Sequence, residues 1–419
     1  MNNIVKIVII GNGFGGTYTL KHLQKLFKND PRVHITLVGE TNYFLFTPLL
    51  HEVATGSINP ENIIEPIRKV FRSCLDDFHL GNAESVNLKE QKVKIINNGD
   101  ITTIPYDYLV LASGAETNFF STKGAEEHSL TLKTLADAIK IKNRAISQIE
   151  KASHIENEAL RKKMLNFVVV GGGPTGVELA SELIELLRDS FSSYYHGNII
   201  KDTAVTLVQR GDELLPQFNK KIRQKSLEVL RKKGINVLLK TGVVEVAENK
   251  VVLDNGNVIE TENTIWVAGI KPRTVEFDES VPMLEDGRII VNENLQIENH
   301  NEVFVLGDIA GVRVGNSGTF LPALAQVAVK EAGAVSNNIA RLIKGKGLKP
   351  FIYKSRGTMV SLGQWMAIGE ISNFAFWGHI TWWLWRTVYL SKMISWQKKI
   401  KIAIDWTINL FSPRDISQL

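Results

Sequence analysis

The sequence predicts an α/β protein in which two units of the same kind are nested, the second inserted in the first, with a helical tail after them. Three observations predict this. Apolar runs rich in β-branched residues alternate with helical stretches, which is typical of parallel sheets. The opening VKIVIIGNGFGG is echoed by NFVVVGGGPTGVE from Asn166. Six of the eight tryptophans fall between Trp377 and Trp406, close to the end of the chain.

The composition is that of an ordinary globular protein, with 44% hydrophobic and 22% charged residues in 419. A net charge of +5 would suit nucleic acid or an anionic membrane. Much of the excess lies in or beside the aromatic tail, which favours lipid headgroups, so we expect no nucleic-acid partner. The basic residues concerned are Arg386, Lys392, Lys398, Lys399 and Lys401.

The single cysteine, Cys74, excludes an intramolecular disulfide and fits a cytosolic setting. We expect it to be a small core residue. The amino terminus runs straight into a strand-like VKIVIIG without the features of a signal peptide, so we expect no export.

Five strands are the clearest predictions of local structure: Ile4–Ile10, Ile35–Val38, Phe167–Val170, Ala204–Val208 and Glu302–Leu306. The charged stretch Ile139–Lys163 predicts a solvated helix leading into the second unit, and Gly345–Pro350 predicts a linker. These features divide the chain into 1–118 and 296–345 for the first unit, 119–295 for the inserted unit, and 346–419 for the tail.

The first glycine loop has the spacing of a dinucleotide-binding fingerprint, because Gly11, Gly13 and Gly16 follow a strand and open a helix. The missing side chains allow a tight turn, close approach to a pyrophosphate, and helix–strand packing. Glu40, at the end of the next strand, is placed to bind a ribose hydroxyl. The loop residues assigned to this site are Gly11, Gly13, Phe14, Gly15 and Gly16.

The second glycine loop repeats the pattern after FVVV and predicts a second Rossmann-type unit. Its assigned residues are Gly171, Gly173, Thr175 and Gly176. The strand that follows ends in Gln209 and Arg210, where an acid is expected. A carboxylate there would bind the ribose 2′-hydroxyl of NAD and repel a 2′-phosphate, so we predict that NADH is used and NADPH tolerated. Alternatively, Arg210 points to solvent and Gln209 still binds the hydroxyl.

Two such loops suggest one bound flavin and one exchangeable nicotinamide. EVFVLGDIAG, with Gly307 and Asp308, resembles the second flavin motif of two-dinucleotide-binding-domain flavoproteins, in which the aspartate binds the ribitol. The same resemblance identifies YLVLASGAETN and WVAGIKP as the exits from the flavin and nicotinamide domains. It implies FAD, with contacts from Ala83, Ser113 and Gly114, and nicotinamide contacts from Ala268 and Gly269.

Dithiol–disulfide reductases and sulfide:quinone oxidoreductases are excluded because both need paired cysteines near the flavin. The chain instead resembles type II NADH dehydrogenases, which are single-chain NADH:quinone oxidoreductases that do not pump protons. The resemblance rests on GNGFGGTYTLKHL, NYFLFTPLLHEVATG, GGGPTGVELASE and LPALAQVAVKEA. It implies that Thr47 and Pro48 lie in a loop over the flavin.

The last of these segments is similar to the family's quinone-site pattern Ala-Gln-x-Ala-x-Gln. Ala325, Gln326 and Ala328 match it, whereas Lys330 replaces the second glutamine. The resemblance implies that Ala325 lies against the flavin and that Gln326 donates to a quinone carbonyl, where negative charge grows on reduction. Lys330 would donate as a cation. The alternative is that this stretch is only the inward stripe of a helix that covers the flavin.

Glu178 is predicted in the first turn of the second loop's helix, near the nicotinamide and the flavin by resemblance. There a partly buried carboxylate could steer the cofactor or carry a proton. The alternative is an acid that only complements the helix dipole. His51 and Glu52 are weaker candidates, and no metal-binding spacing is present.

The sequence therefore predicts hydride transfer from NADH to FAD and reduction of a quinone from the quinone pool. A redox or signalling flavoprotein similar to apoptosis-inducing factor is one alternative, and a ferredoxin-type reductase is another. Turnover with quinone separates the enzyme from the signalling protein.

The aromatic tail Phe374–Trp396 is too interrupted by charge to be a good membrane span. The next stretch predicts an interfacial helix with Lys398, Lys401, Asp405 and Asn409 on one face. Its apolar face carries Ile400, Ile404, Trp406 and Phe411. We expect a peripheral protein that binds the membrane lipid surface at the cytoplasmic face of a bacterial-type inner membrane. We also expect a homodimer, and an intramolecular core or dimer interface is the competing role for these helices.

Overall fold

The computed structural model describes residues 4–28, 30–70, 77–315, 318–355, 357–372 and 374–419. The chain forms two compact units. Unit 1 contains residues 1–45, 64–116 and 270–354, and unit 2 contains residues 46–63, 117–269 and 355–419. Cys74, expected in the core, lies outside the described residues.

Twelve α-helices occur in the described part of the chain. In chain order they are α1 (Phe14–Leu26), α2 (Leu50–Val53), α3 (Ile67–Val70), α4 (Ala125–His128), α5 (Leu135–Ala152), α6 (Glu158–Met164), α7 (Pro174–Glu185), α8 (Asn198–Asp202), α9 (Lys220–Lys232), α10 (Ala325–Ile343), α11 (His379–Lys392) and α12 (Trp396–Ile408). Single helical turns of other types lie at Thr47–Leu49, Pro60–Ile63, Leu186–Ser190, Phe191–Ser193 and Gly307–Ile309.

Unit 1 is built on a six-stranded sheet that is parallel except at one edge. Its strands, in spatial order, are Gln296–Ile297, His300–Val305, Tyr108–Leu111, Val5–Ile10, Val33–Gly39 and Asp77–Leu80. A four-stranded sheet (Glu276–Phe277, Asn82–Asn87, Lys92–Asn97 and Asp100–Pro105) and the pairs Tyr43–Leu45 with Ile64–Pro66 and Ile289–Ile290 with Ala310–Gly311 complete it. Helix α10 packs along α1, so the chain returns to the first glycine loop.

Unit 2 is built on a five-stranded parallel sheet. The strands are Ser129–Thr131, Asn263–Trp266, Asn166–Val170, Ala204–Val208 and Asn236–Leu238. Two antiparallel three-stranded sheets accompany it, Val243–Ala247 with Lys250–Leu253 and Val258–Glu260, and Thr358–Ser361 with Ala367–Ile371 and Phe374–Gly378. Ala115–Thr117 and Ile270–Pro272 are further short strands, and Ile270–Pro272 belongs to unit 1.

All five predicted strands are present, with ends shifted by a few residues, because continuous β-branched runs are buried on both faces of a parallel sheet. The solvated helix predicted at Ile139–Lys163 is wrong in two respects. The stretch divides into α5 and α6, and α5 buries Ile141, Ala145 and Ile149. A stripe with helical spacing within a lysine-rich segment therefore marks a packed face.

The predicted linker Gly345–Pro350 contains no helix or strand. It is nevertheless held to α10, because the Asn338 side chain donates to the Lys349 carbonyl at 2.9 Å and accepts from the Lys349 N–H at 3.0 Å.

Candidate functional site

The first glycine loop leaves no room for side chains at three positions. Gly11 has φ +99°, and a Cβ there would meet the Ala112 carbonyl. A Cβ on Gly15 would meet the Leu306 side chain, and one on Gly16 would meet the Gly11 carbonyl. Because the clashes at Gly11 and Gly16 are with backbone carbonyl groups, this tight strand-to-helix turn requires glycine at both positions.

The amino terminus of α1 has the features of an anion site. Its N-cap is Gly13, no side chain caps the helix, and no acidic residue lies in the first turn. A Cβ at Gly13 would meet nothing within 4 Å, so the approach is open. The N–H groups and the positive end of the dipole at a helix amino terminus favour a phosphate, so the loop fits the pyrophosphate of a dinucleotide. Phe14 is half-buried and packs edge-on against Phe44, with ring centroids 5.1 Å apart.

Glu40 follows the strand Val33–Gly39 and forms an ion pair with Arg273. Arg273 is itself fixed by its main chain, because its N–H donates to the Gly114 carbonyl at 2.9 Å and its carbonyl accepts from the Ser113 hydroxyl. The structure thus brings Glu40, Ser113 and Gly114 together around one arginine. Sequence reasoning missed Arg273, and its only signal was its position just after WVAGIKP.

The turn at Gly307 carries two further residues that are predicted to bind the flavin, Gly307 and Asp308. Gly307 has φ +75°, and its N–H donates to a carboxylate oxygen of Glu331 on α10 at 2.7 Å. Asp308 lies in the same turn and is partly exposed, as the ribitol contact would require. Ala83 is half-buried in the strand Asn82–Asn87 of the small sheet.

The predicted quinone residues lie on the first turns of α10 in unit 1. The helix begins at Ala325, Gln326 is half-buried, and Lys330 is exposed. The stripe buried on α10 includes Val327, Ala328 and Glu331. Gln326 and Lys330 therefore lie outside that stripe, as side chains available to a ligand would.

The second glycine loop, in unit 2, repeats the geometry of the first. Gly171 has φ +117° and lies against Ala268, and Gly176 lies against the Gly171 carbonyl. Helix α7 has Gly173 as its N-cap, proline at its first position, no side-chain cap and no acid in its first turn. Gly269 has φ +74° and contacts the Phe120 ring. Thr175 is exposed beside the open helix end.

Gln209 turns back onto the second loop. Its amide oxygen accepts from the Gly172 N–H at 2.8 Å. Arg210 is exposed. The Gln209 side chain therefore supports the loop, and the neighbouring cation is left facing water.

Glu178 lies in the second turn of α7, so the expectation of a first-turn acid is wrong. One carboxylate oxygen accepts from the Ser361 N–H at 3.0 Å, and the other lies 3.7 Å from Nδ1 of His51. The residue is 7% exposed. Burial raises the pKa of Glu178 well above its usual range, and the hydrogen bond from Ser361 opposes that shift. The helix-dipole alternative does not account for a buried, hydrogen-bonded side chain.

The flavin-loop segment around Glu178 is buried more deeply than expected. Thr47 and Pro48 begin a helical turn that leads into α2, where His51 and Glu52 are both 3% exposed. Burial lowers the pKa of His51 to about 4, and its Nε2 has no hydrogen-bond partner within the described residues. His51 is thus a neutral imidazole with one ring nitrogen left for a ligand or water.

A cluster of buried charges extends from this point through unit 2, and we name it the buried charge cluster. Its carboxyl groups belong to Glu52, Glu178, Glu182 and Glu185, and its cations are Lys233, Arg386 and Arg414.

Arg414 holds the end of the chain on α7. Its guanidinium lies 2.7 Å from a Glu182 carboxylate oxygen and 2.9 Å from one of Glu185. Arg386 lies over the rings of Trp382 and Trp406, with 3.6 and 4.7 Å to the centroids. Such stacking suits a guanidinium held away from water.

Four carboxyl groups facing three cations leave one negative charge uncompensated, so the cluster favours a bound proton. Besides Glu178, Glu52 is a group that can hold it. Burial, with the Glu182 carboxylate nearby, raises the pKa of Glu52 to about 8, although Trp406 Nε1 donates a hydrogen bond to it. At neutral pH this carboxyl is therefore largely protonated.

The tail has a buried face and an exposed face. Trp382 and Trp385 of α11 and Trp406 of α12 are almost fully buried. Phe374, Trp377, Ile380, Trp383, Trp396, Ile400, Ile404, Ile408 and Phe411 are exposed, and we call these residues the outer apolar face. Within the described part of the chain, no helix has the length and apolar character needed to cross a bilayer.

Three of the four polar residues predicted on one face of the tail helix lie against the protein, and the fourth, Lys401, is exposed. Asp405 accepts from the side-chain amide of Asn62 at 2.6 Å, and Asn409 donates to the Ser57 carbonyl at 2.6 Å. Lys398 donates to the Glu61 carbonyl. Trp406, assigned to the apolar exposed side, is buried instead, because its indole N–H pairs with Glu52.

Comparisons with known proteins show which family this chain is similar to. Residues 5–332 match the model of the pyridine nucleotide-disulphide oxidoreductase family, and residues 355–415 match the NDH2 C-terminal domain. A type II NADH:quinone oxidoreductase of Mycobacterium tuberculosis is 31% identical and is aligned over 98% of this chain and 89% of its own length. A probable NADH dehydrogenase of Dictyostelium discoideum is 32% identical over 98% of this chain and 91% of its own.

Solved structures agree at the level of the fold. The NDH2 structure from Plasmodium falciparum in complex with NADH has a TM-score of 0.91 at 22% identity, covering 99% of both chains. A sulfide:quinone oxidoreductase of Aquifex aeolicus has a TM-score of 0.73 at 20% identity, covering 97% of this chain and 95% of that one. Since these two curated relatives exceed 30% identity over nearly the whole chain, this protein belongs to the type II NADH:quinone oxidoreductase family.

Proposed function

We propose that this protein, an NADH:quinone oxidoreductase by its family, binds FAD at the first glycine loop and NADH at the second, and passes two electrons to a quinone. One observation carries the assignment of the loops. In each unit a parallel strand leads through a glycine turn into a helix whose amino terminus has no side-chain cap and no acid in its first turn. Two open helix ends of this kind suit two dinucleotides.

The FAD assignment takes the glycine loop before α1 together with Glu40, Ser113, Gly114, Gly307 and Asp308. It is supported by the clustering of Glu40, Ser113 and Gly114 around Arg273 and by the open end of α1. The flavin, when bound, supplies the group that accepts hydride and releases electrons singly or in pairs.

The NADH assignment takes the loop before α7 together with Ala268 and Gly269. NADPH is tolerated as a second donor, because no carboxylate stands at Gln209 to repel a 2′-phosphate and the neighbouring Arg210 is exposed. The bond from Gly172 to Gln209 supports a role for this residue in shaping the loop.

Glu178 and His51 are assigned to proton handling for the quinone, which needs two protons for each pair of electrons. The Glu178 carboxyl is buried, its raised pKa keeps it protonated at higher pH than an exposed glutamate, and a neutral His51 lies 3.7 Å away. A buried acid of this kind can deliver a proton and be recharged. Gln326 and Lys330 are assigned as donors to a quinone carbonyl.

Changing Glu178→Gln tests this assignment. Glutamine keeps an oxygen for the Ser361 N–H but cannot deliver a proton. Flavin reduction by NADH, followed by stopped-flow absorbance without oxygen, should stay within about twofold of wild type, because hydride transfer needs no acid. Steady-state turnover with a short-chain quinone should fall roughly 100-fold.

The matched control is Glu228→Gln, which removes a carboxylate paired with Lys225 on the exposed face of α9. This variant should change neither the rate of flavin reduction by NADH nor the turnover with quinone. A Glu178→Gln enzyme with wild-type quinone turnover would rule out the proton-handling role.

The outer apolar face is assigned to a membrane surface, where the quinone pool lies. Exposed apolar patches of this extent rarely remain uncovered in solution, and indoles prefer the membrane–water interface. Arg386 is stacked inside the unit, whereas Lys401 is exposed and free to meet anionic headgroups. The alternative is that a second copy of the chain covers the outer apolar face. The proposal includes a homodimer. The scarcity of cysteine supports the cytoplasmic face of a bacterial-type inner membrane.

A further inference from the structure

Glu331 is a buried carboxyl group that the proposed reaction does not use. It lies on α10 next to Lys330, yet it points inward and is 1% exposed. A buried acid without a cation is costly unless other groups compensate for its charge.

Its hydrogen-bond partner is the main chain of the predicted flavin turn. The Gly307 N–H donates to the Glu331 carboxylate at 2.7 Å, at a residue whose φ of +75° needs glycine. Asp308, the predicted ribitol contact, is close enough to repel the same carboxylate. The space beside them, which Ala310, Leu324 and Val327 line in part, is too narrow to hold a water molecule.

The surroundings make the charge of Glu331 conditional on pH. Burial raises its pKa to about 7; the Gly307 N–H opposes the shift and Asp308 adds to it. The charged groups of α1 approach α10 elsewhere, where His22 lies beside Gly333 and is influenced by Lys21, Lys25 and Lys330. Near neutral pH, a small change in the nearby field therefore changes the protonation of Glu331.

We propose that Glu331 is a positioning residue for the bound flavin, that its carboxylate fixes the Gly307–Asp308 turn, and that it takes up a proton from solvent when the flavin is reduced. The inference rests on the proposed assignment of Gly307 and Asp308 to FAD. The step balances simply: NADH supplies the electrons as hydride, and the carboxylate plus one solvent proton becomes a carboxylic acid. Added negative charge on the flavin is the reason that the acid form becomes favoured.

The test is the pH dependence of the midpoint potential of the bound flavin in wild type and in Glu331→Gln, measured by spectroelectrochemistry on the intact protein. Above pH 7 the wild-type carboxylate opposes reduction, whereas the amide carries no charge. At about pH 8.5 the equilibrium constant for reduction should be about three- to tenfold lower in wild type. Below about pH 5.5 the two proteins should coincide, because both side chains are then neutral.

Glu285→Gln is the control, since it removes an exposed carboxylate from the same unit and should follow the wild-type curve at every pH. Glu331→Ala separates the structural contribution, because it removes the acceptor for Gly307 and should weaken FAD binding at all pH values. A second measurement uses the wild type alone: a reduced-minus-oxidised infrared spectrum at neutral pH should show a new carboxylic acid C=O band.

Parallel potential curves for wild type and Glu331→Gln, or no such infrared band, would overturn the inference. Failure of the site assignment would look different. In that case Asp308→Asn and Glu331→Ala would both leave the dissociation constant of FAD unchanged.

Discussion

Gln209 shows how one residue can serve the fold and the choice of donor together. Its amide oxygen binds the Gly172 N–H, so the loop depends on an acceptor at this position. A carboxylate would provide the same acceptor and add a charge. The residue is therefore suited to a substitution that keeps the loop and changes its electrostatics.

In Gln209→Glu, kcat/KM for NADPH should fall about tenfold, because the carboxylate repels the 2′-phosphate through a partly aqueous medium. The value for NADH should stay within about twofold. Steady-state kinetics with both donors and a short-chain quinone measure the ratio. Arg210→Gln is the companion variant, which isolates the contribution of the exposed cation. Unchanged use of NADPH in Gln209→Glu would show that residue 209 does not control the choice.

Glu178 shows that the surroundings of a single residue cannot be predicted from local sequence. Its presence on the helix after the second loop was predictable, because the loop spacing fixes where α7 begins. Its burial was not, since its neighbours His51 and Ser361 come from distant segments. Only the assembled unit reveals that this acid is shielded from water.

At the scale of elements, α12 is an amphipathic helix whose orientation on the protein was not predictable from its sequence. The 100° periodicity predicts one polar and one apolar face but not which face meets the protein. Asp405 and Asn409 bind the 57–62 segment, and the outer apolar face remains uncovered. Deleting the whole tail would also remove buried Trp382, Trp385 and Arg414, so single exposed positions give a cleaner test.

The variant Ile404→Asp with Phe411→Asp should bind anionic liposomes at least about tenfold more weakly than wild type, because two apolar side chains no longer enter the interface. Co-sedimentation with liposomes measures this, and turnover with a water-soluble quinone should persist.

The matched control carries the same two charges on exposed isoleucines of unit 1, Ile101→Asp with Ile352→Asp. Membrane binding of this control should equal that of wild type. Equal binding by both double variants would mean that the outer apolar face does not meet lipid, and a change from dimer to monomer in the α12 variant alone would favour a second copy as its cover.

The local pattern of apolar residues was sufficient to predict the strands of the sheets. It was insufficient to predict which faces of α5 and α12 are buried. The strands around Val168 and Val303 were predictable because buried parallel strands are continuous apolar runs. The solvated character predicted for α5 was wrong, because its charged composition obscures a stripe of buried apolar residues that includes Ile141. In both α5 and α12, composition describes the exposed side, whereas tertiary packing decides the other.

At the scale of the whole molecule, the buried charge cluster ties together parts of unit 2 that lie far apart in the chain. Glu52 comes from the flavin-loop segment, Glu182 and Glu185 from α7, Arg386 from α11 and Arg414 from the end of the chain. Removing one partner from such a network leaves a buried charge unpaired and typically costs about 3–5 kcal/mol. The tail is therefore part of the folded unit as well as a candidate membrane surface.

The protonated Glu52 makes stability depend on pH in a definite direction. Its pKa is about 8 in the folded protein and near 4.5 when exposed. Between these values the folded state holds a proton that the unfolded state has released, so the free energy of unfolding falls as pH rises, by up to about 1.4 kcal/mol per pH unit for this group. Glu178 and Glu331 act in the same direction, so the wild-type slope alone does not identify Glu52.

Glu52→Gln isolates the contribution, because glutamine resembles the protonated acid and still accepts from Trp406 Nε1. Unfolding midpoints followed by tryptophan fluorescence should decline less steeply in the variant than in wild type between about pH 5 and pH 8, a difference of a few degrees at the upper end. Glu61→Gln, an exposed change nearby, should follow the wild type. If the unfolding midpoints of wild type and Glu52→Gln declined in parallel with pH, Glu52 would not hold the proton. The proton would then reside elsewhere in the cluster, because four carboxyl groups among three cations still favour holding one.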